Sequence, residues 1–110
     1  MEEGVRLFGT RARSRILLAI ALLEQSYPRE IARTTNVPLP SAQRIVDDLE
    51  RQGVLASRKR GTQREVRLNP AYFAGSELRA LLLKLAASEP ELVGAIEALR
   101  LRPRRATKAL

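Results

Sequence analysis

Eight consecutive apolar residues, Ile16 to Leu23, read ILLAIALL and leave no polar face on the element they form. A helix that is apolar all round has to be covered on both sides. The run is too short to span a bilayer, which takes about 20 such residues in a helix. The chain has 110 residues, so a single domain with a modest core is expected. In a domain this small the second cover is a helix near the C-terminus or another subunit.

The helix carrying this run is predicted over about Arg11 to Gln25. Thr10 is its candidate N-cap, and Leu7 and Phe8 are placed to staple its start. Residues 1–9 read as an N-terminal arm. The helix opens with Arg11, Arg13 and Arg15. Tyr27 to Asn36, YPREIARTTN, reads as a second helix with Pro28 near its start and Ile31 and Ala32 facing inward. Asn36 suits the left-handed residue at which such a helix stops. After the turn Val37 to Pro40 comes LPSAQRIVDDLERQ, Leu39 to Gln52. Its apolar residues Ala42, Ile45, Val46 and Leu49 fall at i, i+3, i+4 and i+7, one stripe of an amphipathic helix. Pro38 and Pro40 keep it from starting earlier than about Leu39, and Gly53 sits where a left-handed C-cap belongs. Helix, short turn and amphipathic helix make the helix-turn-helix pattern.

Past Gly53 the period changes from helical to extended. Val54 to Lys59 and Arg64 to Leu68 flank RGTQ, with Arg60-Gly61 at the apex of a predicted β-hairpin. Val66 and Leu68 alternate with Glu65 and Arg67, so one face is expected packed and the other wet. Arg58, Lys59, Arg60 and Arg64 make the hairpin a basic wing. Asn69-Pro70 ends it. Ser76 is expected to cap a helix to about Ala87, with Leu78, Leu81, Leu82 and Leu85 on one face. Ser88 to Glu91 has capping-box spacing and opens a last helix carrying Leu92, Ala95, Ile96 and Leu99. The expected fold class is mainly α with a small β-hairpin: a winged helix-turn-helix over 10–70, then C-terminal helices over 71–101 for packing or dimerisation. Residues 102–110, a basic stretch without periodicity, are expected to be a disordered tail. Leu18 and Leu22 of the first helix, with Leu82, Leu85 and Ile96, are the expected dimer contacts.

Composition narrows the chemistry. There is no Cys and no His, so disulfides, thiolate or imidazole metal sites and Cys- or His-based nucleophilic catalysis are out. No cofactor and no metal are expected. No Gly-rich phosphate loop is present, and Asp47, Asp48 and Glu50 have ion-pair or capping explanations, so an enzyme is not expected. The formal charge of +8 and pI of about 11.2 imply a polyanionic partner. No apolar run has membrane-spanning length, and MEEGVRLFG lacks the basic-then-apolar order of a signal peptide. A cytoplasmic protein without a membrane partner is expected.

The segment PREIARTTNVPLPSAQRIVDDLERQGVL followed by ASRKRGTQREVRLNP resembles the winged helix-turn-helix domains of ArsR/MarR-like transcription regulators. The motif carrying the likeness is Leu49-Glu50-Arg51-Gln52-Gly53-Val54-Leu55, behind a small residue inside the preceding helix. LFGTRARSRIL, VRLNPAYF and ELRALLLKL are also similar to the winged-helix modules that often precede nucleotidyltransferase domains. No G-S segment or D-x-D pair follows here, and no catalytic residue is carried over. The resemblance implies a dimeric regulator of double-stranded DNA, with 39–52 in the major groove and 54–68 on the backbone or minor groove. Ser41, Gln43 and Arg44 are then the base-facing candidates, with Pro40 also among the DNA-binding residues. Arg11, Arg13, Arg15, Arg58, Lys59, Arg60 and Arg64 are the phosphate candidates. Arg44 and Asp48, at i and i+4, are equally spaced for a surface ion pair. The alternatives are a winged helix used for protein interaction and the DNA-binding module of a larger nucleotidyltransferase-type protein.

Overall fold

The computed structural model describes residues 4–101; the predicted basic tail at 102–110 lies outside them. The chain runs α1 (Arg11–Leu23), α2 (Pro28–Thr35), α3 (Leu39–Arg51), β1 (Leu55–Arg60), β2 (Gln63–Leu68), α4 (Gly75–Leu85), a 3-10 turn (Ala86–Ser88) and α5 (Pro90–Leu101). This is the mainly helical chain with one hairpin that the patterning implies.

Helix α1 is the axis of the core. Thr10 caps it, its hydroxyl accepting from the Arg13 N–H at 3.0 Å. Residues Ile16 to Ala21 are buried without a break, because α1 packs against α2 and α3 and also against α4 and α5. The second cover is thus supplied within the chain. Leu82, Leu92 and Ile96 come from the C-terminal helices to meet α1, and Ile31, Ala42, Val46 and Leu49 come from the helix-turn-helix.

Three dimer expectations change with this. Leu18 and Leu82 are fully enclosed in one chain and Ile96 nearly so, while Leu22 and Leu85 are partly buried against the same core. A second copy has no access to the first three. An apolar stripe marks burial but not whether the cover is the same chain or another. Among the described residues the large apolar side chains left open are Leu7, Phe73, Leu81 and Leu101.

The turn residues act as their types require. Asn36 takes φ 60. The N–H of Val37 returns to the Ala32 carbonyl at 3.1 Å and that of Asn36 to Arg33 at 3.4 Å, the paired closure of a Schellman motif. Gly53, at φ 82, closes α3 in the same way, with Val54 N–H on Leu49 and Gly53 N–H on Glu50, both at 3.0 Å.

The hairpin pairs Leu55 with Leu68 through to Arg60 with Gln63, antiparallel. Each strand is a residue longer toward the tip than the sequence suggests, so Gly61-Thr62 forms the turn, with Gly61 at φ 65. Positive φ at that position fits a two-residue hairpin loop. Ser26 bridges to Val66 on the free edge of β2, giving that edge a partner. The wet face holds one surprise: Glu65 is 2% exposed, one oxygen accepting from Arg58 Nε at 2.9 Å.

Two expected caps are replaced. Helix α4 begins at Gly75 behind Ala74, with no side-chain cap, so Ser76 lies inside its first turn. The Ser88–Glu91 box does not form. Ser88 Oγ donates to the Leu85 carbonyl at 2.7 Å, and Pro90 starts α5, a position where its missing N–H costs nothing. Glu89 between them turns inward.

The arm lies over that carboxylate. Gly4 has φ +63, and a Cβ there would stand 1.5 Å from Arg11 Nη1 and 2.6 Å from Glu89 Oε2. Gly4→Ala is expected to cost about 1–2 kcal/mol from the left-handed backbone alone, read as a lower urea midpoint at unchanged m-value. An unchanged midpoint would show that the arm contributes nothing to the fold.

Candidate nucleic-acid interface

Helix α3 divides along its length. Pro40, Gln43, Arg44, Asp47 and Arg51 recur at three- and four-residue steps and are all exposed, on the side opposite Ala42, Val46 and Leu49. Ser41 stands at the margin of that face, partly buried. Arg44 lies back along its own helix, its Nη2 donating to Ser41 Oγ at 3.4 Å. The Arg44–Asp48 pair allowed by spacing does not form. Asp48 instead takes Arg13 at 2.8 Å and Arg51 at 3.3 Å. The hydrogen bond from Arg13 is the chief reason its carboxyl is held below the usual carboxylate range, with the charges of Arg13 and Arg51 adding to it.

The acids of α3 look hostile to a polyanion, yet each is engaged. Arg64 of β2 reaches Asp47 at 2.9 Å and also Glu50, which accepts from Ser57 Oγ at 2.8 Å as well. Burial pulls the Arg64 pKa down, but hydrogen bonds to Glu50 and Asp47 and their charges outweigh it, leaving the group above its ordinary value. Asp48 therefore fastens α3 to α1, and Asp47 and Glu50 fasten it to the wing. The first two turns of α3 carry no such tie.

The phosphate candidates separate accordingly. Arg13 and Arg64 are committed to α3. Arg11 and Arg15 are committed to Glu89, Arg15 with 11% of its side chain exposed. Arg58 is half-exposed and lies along Glu65. Of the expected set, Lys59, Arg60 and Arg44 are exposed with no ion pair among the described residues. These expectations fail at Arg15 for a plain reason: alternate basic residues at a helix start look solvated in sequence, but a buried carboxylate 74 positions away takes this one.

Two cations were not picked out by the sequence reading. Arg29 and Arg33, at i and i+4 on α2, are both exposed, opposite Ile31 and Thr35. Arg29 lines a cleft of about 430 Å³ with Gln43 of α3 and Thr62, Gln63 and Arg64 of the wing. The helical spacing in PREIAR contains this signal. The exposed start of α3 thus has the α2 arginines and the tip of the wing as neighbours, Arg29 and the wing sharing the cleft beside Gln43. Such a layout offers a protruding helix for a groove and cations for the adjoining phosphates.

Among the described residues no group of three or more acidic side chains is placed to hold a metal, and no helix is long and apolar enough to cross a membrane.

The hairpin packed behind a helix-turn-helix defines a winged helix-turn-helix protein. Residues 10–64 match the family model described as "MarR family", and the chain belongs to that family of winged-helix transcription regulators. A solved relative in fold is a cysteine-to-serine mutant of MarR from E. coli, with TM-score 0.58 and 21% identity, covering 84% of this chain and 76% of that one. Another is a MarR-family transcriptional regulator from Rhodococcus sp. RHA1, with TM-score 0.50 and 18% identity, covering 90% of this chain and 66% of that one. No curated protein matches the chain in sequence.

Proposed function

We propose that the chain binds double-stranded DNA sequence-specifically, as a dimeric transcriptional regulator. The observation that carries this is the first half of α3, with Pro40, Gln43 and Arg44 exposed and free of ion pairs beside the cleft that Arg29 and the wing tip share. In this reading α3 enters the major groove. Arg44 swings off Ser41 and gives two hydrogen bonds to a guanine, and Gln43 pairs with an adenine. Arg29, Arg33, Lys59 and Arg60 sit on phosphates and set the register, with Arg60 within reach of the minor groove. Leu81 and Leu101 supply apolar surface for the second copy, and the protein works in the cytoplasm without a cofactor. Two-fold symmetry then calls for a pseudo-palindromic site with half-sites about one helical turn, roughly 10 bp, apart or a multiple of it. The family match favours this regulator over a protein-interaction module or a nucleotidyltransferase-linked one.

The test is selection from a randomised 30-bp duplex pool (roughly three turns of DNA), followed by sequencing and by fluorescence anisotropy at two salt concentrations. Enrichment of a palindromic motif is the expected outcome. Binding without enrichment would reduce the reading to nonspecific attachment, and no binding at either salt would end it.

A further inference from the structure

Glu89 is the acid most deeply committed to long-range contacts. Its side chain is 4% exposed and is shared by three residues, one in the N-terminal arm and two in α1. Oε2 accepts from the Val5 N–H at 2.7 Å and from Arg11 Nη1 at 3.2 Å. Oε1 accepts from Arg15 Nη1 at 2.9 Å. Arg15 has a second use: its Nε donates to the carbonyl of Thr35 at 3.3 Å. Thr35 is the last residue of α2, and Asn36 follows it directly in the left-handed conformation that starts the turn into α3.

The last carbonyls of a helix have no partner within it, and a cation placed there both hydrogen-bonds and opposes the negative end of the helix dipole. Arg15 does this for α2. It is held in place to do so by a carboxylate from the junction before α5. The guanidinium is planar and forked, so fixing Nη1 on Glu89 also fixes the direction of the Nε–H. Without Glu89 the arginine is a buried cation lacking its counter-charge, and it would move outward toward water.

We propose that Glu89 is a positioning residue for DNA binding: through Arg15 and the Thr35 carbonyl it sets the turn that delivers α3 to the groove. This rests on the DNA reading above and adds a remote determinant to it. It also means that the N-terminal arm and the α5 junction are tied to the helix-turn-helix through one side chain. Glu89 touches no part of the exposed α3 face, so its effect on DNA is indirect and of a distinctive sign. Removing an acid makes the protein more basic, and attraction alone would tighten binding to every duplex.

The experiment compares the whole chain with Glu89→Gln on the selected duplex and on a random duplex, and follows the amide signals of Asn36 and Val37 by NMR. The expected result is about a tenfold loss on the selected duplex, the scale of one charged hydrogen bond. Random-duplex binding is expected to be equal or tighter, and both amide signals to shift. Arg15→Lys keeps the charge but lacks the fork that spans Glu89 and Thr35, and is expected to give the same selective loss. It carries the test by itself should Glu89→Gln not fold. Undiminished affinity for the selected duplex in a folded variant overturns the inference, as does an equal loss on both duplexes. A parent protein that selects no duplex is a separate outcome: it removes the DNA reading, and this inference with it.

Discussion

Leu18→Asp unfolds the chain rather than dividing a dimer. Leu18 has no exposed surface in a single copy and sits among residues of both the helix-turn-helix and the C-terminal helices. Emptying a buried leucine site costs about 2–5 kcal/mol. A carboxylate left there without a partner adds several more, or stays protonated at a cost of similar sign. The sum is comparable with the whole stability of a domain this size, about 5–15 kcal/mol. The expected reading is loss of the cooperative thermal transition by circular dichroism at 222 nm, the usual helix signal, with early elution on gel filtration. A folded monomer from this variant would instead place α1 at a subunit boundary and contradict the enclosure described above.

Arg44→Ala is expected to separate recognition from attraction. A bidentate arginine–guanine contact is worth about 1–3 kcal/mol of discrimination, so affinity for the selected duplex should fall about 5- to 150-fold. Binding to random DNA should change little. Replacing Lys59 and Arg60 together by alanine should behave in the opposite way. Affinity drops on all duplexes, and the slope of log K against log salt falls by about 1.8 for two lost phosphate contacts. Neither change touches a buried group, so melting temperatures should stay close to the parent's. If Arg44→Ala weakened both duplexes alike, the arginine would be a phosphate contact and the reading of bases would have to lie elsewhere on α3.

The helix-turn-helix was legible because its information is local. Proline before α3, asparagine after α2, glycine after α3 and a three-four apolar spacing each have one backbone consequence, and all four agree. The wing was legible for the same reason, apart from a turn displaced by one residue. Glu89 and Arg15 show what local pattern does not carry. Ser88-Glu89-Pro90-Glu91 has the spacing of a capping box, yet the arginines of α1 draw Glu89 into the interior and Pro90 takes the first helical position. Glu65 shows the same on a strand, where alternation predicts water and a cross-strand arginine with close neighbours provides cover instead. Of the expected dimer contacts, Leu18, Leu82 and Ile96 are covered inside one chain, where α4 and α5 both pack on α1, while Leu22 and Leu85 keep some exposure. The phosphate set was overdrawn because charge counts do not reveal which cations already have acids.

The split of α3 has a consequence for how such a protein diversifies. Its second half is bolted to α1 through Asp48 and to the wing through Asp47 and Glu50, while Gln43 and Arg44 stand exposed with no ion pair to the rest of the fold. In the DNA reading proposed above, substitutions at Gln43 and Arg44 are expected to leave stability nearly unchanged and to be read out on DNA. A duplicated copy of this chain is therefore free to drift to a new operator without passing through an unfolded intermediate. The same property would let a designed library at residues 43 and 44 be screened for new operators on an intact scaffold.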